Sequence, residues 1–542
     1  MQSGTLSVFG SAIVNVPLTP LRCLDRAADL FASKVGVVCG NTVLTYGAFA
    51  ERCFRLAAGL KREGIAKGDR VAFLSFNTHR LLEGYYGVVQ AHAVAMPINV
   101  RLSPPEIVNI LHHSGAKLVC FEADFAPVVE AIRPLCPAVA RWVSLDAELT
   151  CADFSYEQMI AAAEPMPLDV FAYDENSMAE LFYTSGSTGT PKAVMLSHRN
   201  LFLHTLSVVG MISDPGSAVD LHTIPLFHAN GWGRPQVSTM LGVTQVMVRR
   251  FEPSLVFSLI QAHGATDMCL VPTMANMLLN TPDRERFDLS SLRRIMLGGA
   301  ASSADQIRRM EDAFHCEIIA GYGLTETSPV LTCGLRKSTV EYANPEERHR
   351  RQAMAGWSLP AVKVIVADLY DNPVPRDGQA IGEVLAQGDS VMMGYYNEPD
   401  ATESVLHDNW FHTGDMATWD EEGYVQIVDR KKEIIISGGE NISSLEIERA
   451  IFAHESVQEC AVVGAPDDRW GEVPVAIVYL KADHPLSEAA LLAFLETRLG
   501  KFKLPRSIEF SPEPLPKTGT GKLRKMALRE QFWAGKARRV QG

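Results

Sequence analysis

The spacing of apolar residues predicts that helices and strands alternate through the first third of the chain. From Tyr46 to Ile65, apolar residues recur at helical spacing, and Thr45 stands where a helix N-cap is expected. Buried strands are predicted at 70–75, 94–99 and 117–121, with helical stretches between them. Because strands that alternate with helices form parallel sheets, this pattern predicts an α/β fold with doubly wound sheets.

The pattern changes in the last third of the chain. Short strands and turns are predicted at 382–385, 423–428 and 433–436. Amphipathic helices near 445–453 and 488–499 then enclose strand-like runs at 460–463 and 473–480. We therefore predict two unequal domains. Residues 1–430 form doubly wound sheets with a small β-barrel-like subdomain, and residues 431–542 form a small α+β domain that is large enough to fold alone.

Composition and charge narrow the class of protein. The 542 residues are 47 % hydrophobic and 21 % charged, an ordinary globular mixture. A formal net charge of −13 argues against a general nucleic-acid binder, which would carry a basic excess. The charge is uneven, since residues 517–542 hold eight Lys or Arg against one Glu. A cationic end on an acidic body suits a site for phosphate-rich ligands.

The cysteines and the N-terminus predict a cytoplasmic protein. The ten cysteines are scattered without any Cys-x-x-Cys pair, which excludes the common zinc and thioredoxin-type motifs. Many of them lie in apolar runs, as buried thiols do in a reducing compartment. The first 21 residues are uncharged but lack the basic start of a signal peptide, so we expect a loop or strand there. No run has the apolar density of an integral membrane segment.

A loop rich in small polar residues carries the first chemical signal. Residues 184–190 are seven consecutive Gly, Ser or Thr, and strand-like runs lie on either side. Such a loop offers backbone N–H groups, hydroxyls and the Lys192 ammonium to a polyphosphate. It is not a Walker A loop, because Pro191 precedes the lysine and Ala193 follows it.

Residues 183–192 resemble the signature phosphate loop of the adenylate-forming, or AMP-binding, superfamily. Its members include acyl-CoA synthetases, luciferase-like enzymes and peptide-synthetase adenylation domains. The family's other motifs follow in order as far as residue 525, so the resemblance covers nearly the whole chain. It implies an acid–thiol ligase that converts a carboxylic acid to its acyl-CoA through an acyl-adenylate, releasing AMP and pyrophosphate.

The resemblance also implies a nucleotide site in residues 1–430. The phosphate loop contributes Thr184, Ser185, Gly186, Ser187, Thr188, Gly189 and Lys192, with Thr184 also catalytic. Adenine and phosphate contacts are implied for Gly299, Ala300, Gly321, Tyr322, Gly323 and Thr325, and ribose contacts for Asp415 and Arg430. Glu326 is implied as a catalytic residue and as the ligand of Mg²⁺, for which a carboxylate oxygen is a suitable donor.

Residues 431–542 are implied to form a mobile domain. Lys522 lies in a loop with two glycines and resembles the family's essential lysine, whose ammonium covers the α-phosphate as charge builds up. Lys432 aligns with the hinge about which this domain rotates. Gly438 and Gly439 resemble the segment that flanks the pantetheine tunnel of CoA.

Residues 224–233 resemble the motif that faces the acyl and CoA channels. His228 stands at the family's catalytic and substrate-gating position, and Trp232 and Gly298 are implied to line the acyl pocket. Amino-acid-activating relatives carry an Asp here, but this segment has no acidic residue, so an amino-acid substrate is disfavoured. An uncharged, partly apolar wall favours an aliphatic or aryl acid, with Trp232 limiting the chain length.

The leading hypothesis is a fatty-acid–CoA ligase for short to medium chains, with ATP, Mg²⁺ and CoA. The segment is also similar to methylmercaptopropionate–CoA ligases and plant acyl-activating enzymes. The alternatives are therefore an aryl-acid or methylthioalkanoate CoA ligase, or an adenylating enzyme that delivers the acyl group to an acceptor other than CoA. An inactive nucleotide-binding protein is disfavoured because the catalytic motifs are complete. The oligomeric state is open, and a homodimer is one hypothesis.

Overall fold

The computed structural model describes residues 15–146, 148–184, 191–431, 433–437, 440–467, 470–482, 484–517 and 523–534. The helices are α1 Leu21–Leu30, α2 Tyr46–Arg62, α3 His79–Gln90, α4 Pro104–Ser114, α5 Ala126–Ile132, α6 Tyr156–Ala161, α7 His198–Ser207, α8 Ala229–Trp232, α9 Arg234–Leu241, α10 Pro253–His263, α11 Pro272–Leu279, α12 Ala304–Phe314, α13 Pro345–Gln352, α14 Pro399–Glu403, α15 Ser444–Phe452, α16 Glu488–Glu496 and α17 Lys525–Trp533.

The strands are β1 Val35–Cys39, β2 Thr42–Thr45, β3 Arg70–Leu74, β4 Val94–Pro97, β5 Leu118–Phe121, β6 Arg141–Ser144, β7 Phe154–Ser155, β8 Met178–Thr184, β9 Lys192–Ser197, β10 Val219–His222, β11 Thr244–Met247, β12 Asp267–Leu270, β13 Arg294–Leu297, β14 Glu317–Gly323, β15 Val330–Cys333, β16 Trp357–Ser358, β17 Val362–Ala367, β18 Gly382–Gly388, β19 Gly394–Tyr395, β20 Leu406–His407, β21 Trp410–Trp419, β22 Val425–Arg430, β23 Ile435–Ser437, β24 Glu440–Ile442, β25 Val457–Asp467, β26 Gly471–Leu480 and β27 Ser507–Phe510.

Local sequence explains where α2 begins and ends. Thr45 Oγ1 accepts a hydrogen bond from the Ala48 backbone N–H at 3.2 Å, which confirms the predicted N-cap. The helix stops at Arg62, three residues before the predicted end at Ile65. Gly64 has a φ of +85°, a left-handed conformation that ends a helical turn.

Two large sheets form the body of residues 15–430. One has the strand order β19-β9-β8-β4-β3-β5-β6-β7 and the other β16-β15-β14-β13-β12-β10-β11-β1-β2. The first is parallel from β8 to β7, and the second is parallel from β14 to β1; antiparallel strands stand only at their edges. The predicted α/β fold with doubly wound sheets is confirmed.

Two smaller sheets follow. Strands β17, β18, β21 and β20 form an antiparallel sheet in which β22 also pairs with β21, where the small β-barrel-like subdomain was predicted. The last sheet has the order β24-β23-β26-β25, and β27 pairs with β26. Helices α15 and α16 bury Ile447, Ile451, Leu491 and Leu495 in the core of this sheet, so the predicted small α+β unit is also confirmed.

The cysteines pack as the sequence predicts. All ten are unbridged, and all but the partly exposed Cys39 are buried. Burial raises the pKa of the Cys23 and Cys269 thiols to about 12, so these side chains behave as small apolar groups. Within the described segments, no helix has both the length and the apolar character needed to cross a membrane.

Candidate active site

A buried carboxylate joins two strands of the antiparallel sheet to the nine-stranded sheet. Asp415 on β21 pairs directly with Arg430 on β22, and its Oδ1 lies 2.6 Å from Arg430 Nε. Tyr322, at the end of β14, donates its hydroxyl to Asp415 Oδ2 at 2.6 Å. The structure thus brings together three residues that the sequence assigned to one nucleotide, although Tyr322 and Asp415 are 93 residues apart.

Burial and charge fix the protonation of this cluster. Burial raises the pKa of Tyr322 well above its usual value, and Asp415 raises it further, so the phenol stays a neutral donor. Burial alone would lower the pKa of Arg430, but Asp415 outweighs it and raises the pKa above its usual range. A carboxylate oxygen has two lone pairs and can accept more than one hydrogen bond, which is the chemistry that ribose hydroxyls would require.

A second cluster forms around Glu326, which follows β14 in a short turn. Its Oε1 accepts a hydrogen bond from the Tyr395 hydroxyl at 2.9 Å. Lys192 Nζ lies 4.5 Å from the centre of the Tyr395 ring, so this tyrosine links the predicted metal ligand to the phosphate-loop lysine. Burial, then Glu326, raises the pKa of Tyr395 above its usual value. Sequence analysis missed Tyr395.

The ends of the phosphate loop are close together. Thr184 and Lys192 are directly paired on β8 and β9, and Thr184 Oγ1 donates to the Lys192 carbonyl at 3.4 Å. Residues Ser185, Gly186, Ser187, Thr188 and Gly189 lie outside the described residues. Lys192, at one end of the loop, lies beside Tyr395, whose hydroxyl contacts Glu326.

The small residues after β13 allow an aromatic ring to approach the backbone. A Cβ added to Gly298 would lie 3.0 Å from Trp232 Cη2 and 3.2 Å from the Gly321 carbonyl oxygen. Gly299 has a φ of +75°, a conformation that favours glycine. Trp232 therefore rests against the end of β13, close to Gly321 on the neighbouring strand β14. Tyr322, Gly323 and Thr325 follow Gly321 along the chain, and Ala300, which follows Gly299, is exposed.

Trp232 lies in an unusual turn. Residues 229–233 all have positive φ, between 44° and 74°, although only two of them are glycine. Left-handed backbone costs about 1–2 kcal/mol for each non-glycine residue, so the surrounding structure must hold this turn. His228 immediately precedes the turn and is partly exposed.

A buried acid supports the turn from behind. Glu180 on β8 is 0 % exposed and accepts hydrogen bonds from Asn230 Nδ2 at 3.2 Å and Gln236 Nε2 at 3.3 Å. Burial raises the pKa of Glu180 well above its usual value, which favours the neutral acid over the carboxylate. Residues 224–233 contain no acidic side chain, but the fold places Glu180 in contact with Asn230 of this segment.

The C-terminal residues near the implied catalytic loop form a buried ion network. Lys525 Nζ lies 2.8 Å from Glu448 Oε1 and 3.4 Å from Glu433 Oε2, and it donates to Ser444 Oγ at 2.8 Å. Asp429 Oδ2 accepts the Ser444 backbone N–H at 2.6 Å. Lys432, Gly438, Gly439 and Lys522 lie outside the described residues. The network connects Lys525, which follows Lys522 in the chain, to Glu433, which follows Lys432.

Comparisons with known proteins agree with this geometry. Residues 24–396 match the AMP-binding enzyme family, and residues 446–522 match the AMP-binding enzyme C-terminal domain. A long-chain-fatty-acid–CoA ligase of Thermus thermophilus is 38 % identical, over 98 % of this chain and 99 % of its own. 4-Hydroxybutyrate–CoA ligase 2 of Metallosphaera sedula is 34 % identical, over 95 % of this chain and 94 % of its own. The crystal structure of an anthranilate CoA ligase with anthranoyl-AMP has a TM-score of 0.85 and 25 % identity, and the match covers 96 % of this chain and 98 % of that one.

The fold and the two family matches define an adenylate-forming enzyme. The chain belongs to the AMP-binding enzyme family, and within it to the AMP-forming acyl-CoA synthetases. It joins a small carboxylic acid to CoA at the expense of ATP, through an acyl-adenylate. The family and the reaction class predicted from the sequence are confirmed.

Proposed function

We propose that this synthetase activates short- to medium-chain carboxylic acids. The observation that carries the proposal is the Trp232 ring, which is 6 % exposed and packed against the backbone at Gly298. A ring held in contact with the strand end leaves little room for a long chain to pass. The strained turn and Glu180 beneath it keep the ring there, which makes the wall rigid.

The nucleotide is held, in this proposal, by the residues that cluster at the strand ends. Asp415 accepts from the ribose hydroxyls while Arg430 and Tyr322 fix its orientation. Gly299, Ala300, Gly321, Gly323 and Thr325 line the adenine and phosphate side. Because these groups are already paired and oriented, binding costs little reorganisation.

Glu326 fits a Mg²⁺ ligand. Its Oε1 is engaged by Tyr395, and among the described residues nothing pairs with its second carboxylate oxygen. A half-buried carboxylate with one unengaged oxygen beside a phosphate loop has the donor chemistry that Mg²⁺ prefers. The ion would neutralise charge on the phosphates, while Tyr395 orients the carboxylate.

Charge stabilisation completes the first half-reaction. An acid oxygen attacks the α-phosphorus, an oxygen–phosphorus bond forms, and the bond to the bridging oxygen breaks so that pyrophosphate leaves. The phosphate loop from Thr184 to Lys192 holds the leaving phosphates, and Lys522 covers the α-phosphate as charge develops. No protein nucleophile is needed.

The second half-reaction transfers the acyl group. The CoA sulfur attacks the acyl carbon, a thioester bond forms and AMP leaves with the electron pair of the broken bond. We assign His228 to the channel where acid and CoA meet, and Gly438 and Gly439 to the pantetheine side. Residues 1–430 and 431–542 act as separate domains that turn about Lys432.

A panel of acids tests the proposed substrate class. Acids from acetate to palmitate, with aryl and methylthio acids, are incubated with ATP, Mg²⁺ and CoA, and thioesters are measured by mass spectrometry. We expect the highest kcat/KM for short to medium chains. Preference for an aryl or methylthio acid favours those alternatives, and adenylate without thioester means an acceptor other than CoA. Highest activity on palmitate contradicts the proposal.

A substitution of Trp232 tests whether this ring limits the length of the acid. Trp232→Ala should raise kcat/KM for longer acids relative to butyrate by at least about tenfold, because a lost ring opens space for several methylenes. Trp410→Ala is the control, since that ring packs near Lys363 on the antiparallel sheet. An unchanged chain-length profile in Trp232→Ala would show that this ring does not limit the acid.

The location and assembly remain predictions. Nine buried thiols of ten support a reducing compartment such as the cytoplasm. Light scattering on the purified chain distinguishes a homodimer from a monomer.

A further inference from the structure

A group of metal-ligating side chains lies on the antiparallel sheet, outside the nucleotide and acid sites. We propose that Asp371, His407 and His412 form a binding site for a divalent transition-metal ion, with zinc as the expected occupant. One possible ligand atom of each residue lies within 4.8 Å of the other two. Nothing in the reaction of an acyl-CoA synthetase requires this second site.

Hairpin geometry brings the two histidines together. His407 ends β20 and His412 lies near the start of β21, and the two-residue turn between the strands has positive φ at both Asp408 and Asn409. Such a turn matches the strand twist and fixes the register. Because Leu406 pairs with Phe411, the two histidines are diagonal neighbours on one face.

The carboxylate comes from a different part of the chain. Asp371 lies in the turn after β17, with a φ of +60°, and its Oδ2 is 3.8 Å from His412 Nε2. That nitrogen is buried and, among the described residues, makes no hydrogen bond. A buried nitrogen without a partner is costly, and a metal ion would use its lone pair.

The surroundings of His412 also suit a metal ligand. Its side chain is 11 % exposed, and its other ring nitrogen, Nδ1, lies 3.7 Å from Glu383 Oε2. Glu383 is itself held by the Gly414 backbone N–H at 2.9 Å and by Lys431 Nζ at 2.8 Å. Metal-binding histidines commonly donate their other ring N–H to a carboxylate. Because 3.7 Å is longer than a hydrogen bond, Glu383 has to move closer to Nδ1 to select the tautomer.

His407 is the ligand that has to move before a metal ion can bind. The two imidazole rings stack with centres 3.8 Å apart and planes 21° apart, so both in-plane lone pairs cannot point at one ion without movement. His407 is 41 % exposed, and its contact at 3.2 Å is with Asp408, which is 81 % exposed. Exchanging that surface contact for a metal bond costs little. We expect the His407 ring to turn while His412 stays in place.

The ligand set selects the kind of ion. Two imidazoles and one carboxylate suit zinc and its neighbours, with water completing the coordination, whereas Mg²⁺ prefers oxygen ligands. The site and the proposed Mg²⁺ site at Glu326 should therefore bind different ions. A filled site would join the β17–β18 connection to the β20–β21 hairpin and raise the melting temperature.

The test is zinc binding to the full-length, metal-stripped enzyme. Calorimetric titration with zinc chloride in excess MgCl₂ should reveal one tight site. Asp371→Asn and His407→Gln are partly exposed positions that should not prevent folding, and each should weaken zinc binding by at least about tenfold. His263→Gln, at the exposed end of α10, is the matched control and should bind as the wild type does.

Cobalt chloride gives an independent readout. Co²⁺ in a site of nitrogen and oxygen ligands gives visible absorption bands, and these should weaken in Asp371→Asn and His407→Gln but not in His263→Gln. The proposal is overturned if the wild type takes up no zinc, or if all four proteins bind it equally. Neither measurement depends on ligase activity, so failure here is distinguishable from failure of the proposed substrate class.

Discussion

In the proposed nucleotide site, Asp415, Arg430 and Tyr322 contact one another at strand ends. At the acid side, a strained left-handed turn rests on Glu180, which solvent does not reach. In the proposed reaction, the first cluster would bind the nucleotide through its polar groups. The second would place its polar group behind the wall that the acid contacts.

The two regions differ in how the sequence encodes them. Groups that bind the nucleotide need particular atoms at the surface, so short local motifs encode them. The acid wall needs a shape, and shape depends on residues that never touch the acid, such as Glu180 and Asn230. Variants on the nucleotide side should therefore change rates for every acid, whereas variants on the acid side should change selectivity or stability.

The largest effect is expected for Lys522→Ala. Loss of the ammonium that covers the α-phosphate should lower adenylate formation by about 100–1000-fold for every acid. Thioester formation from supplied acyl-adenylate should be largely intact, because that step has no pyrophosphate to release. Pyrophosphate release and single-turnover thioester formation measure the two steps separately.

The matched control for this prediction is Lys517→Ala. Lys517 lies in the same C-terminal basic segment, but its Nζ pairs with Glu459 Oε1 at 2.5 Å. We expect near wild-type adenylation from it. Equal loss in both half-reactions of Lys522→Ala would falsify the assigned role.

A smaller effect, confined to the nucleotide, is expected for Asp415→Asn. The amide keeps the shape but loses the charge and part of the acceptor capacity, so KM for ATP should rise about 10–100-fold. Tyr322→Phe removes one neutral donor and should raise it by only about fivefold. Initial rates at varied ATP and acid concentrations check this. A rise in KM for the acid instead of ATP would show that Asp415 does not contact the nucleotide.

Sequence analysis grouped Asp415, Arg430 and Tyr322, which the structure places in contact, because each of them occurs in a short contiguous motif. Tyr395 was missed because it reaches Glu326 only when β19 pairs with β9, a contact between segments about two hundred residues apart. Glu180 carried a signal that could have been used: it is an acidic residue in an otherwise apolar strand. Its partner Asn230 could not be inferred, since the pairing depends on the left-handed turn.

The pH dependence of stability tests whether Glu180 is a neutral acid. Its pKa is raised in the folded protein by burial, so the folded state binds a proton that the unfolded chain releases above about pH 4.5. The stabilisation is complete below the unfolded pKa and is lost as pH rises toward the folded one, by at most about 1.4 kcal/mol per pH unit. Glu180→Gln, which cannot ionise, should lack this loss.

Melting temperatures of the wild type and Glu180→Gln, compared from about pH 5 to about pH 8, measure the effect. We expect the melting temperature of Glu180→Gln to increase relative to that of the wild type as pH rises. Glu285→Gln, at an exposed position, should keep the pH dependence of the wild type. Within the described residues, Asn230 Oδ1 and Gln236 Oε1 have no hydrogen-bond partner, so either amide, turned over, could accept the proton of a neutral acid. A constant difference across the range would mean that Glu180 ionises alike in the folded and unfolded chain. The turn beneath Trp232 would then rest on a charge rather than on a buried acid.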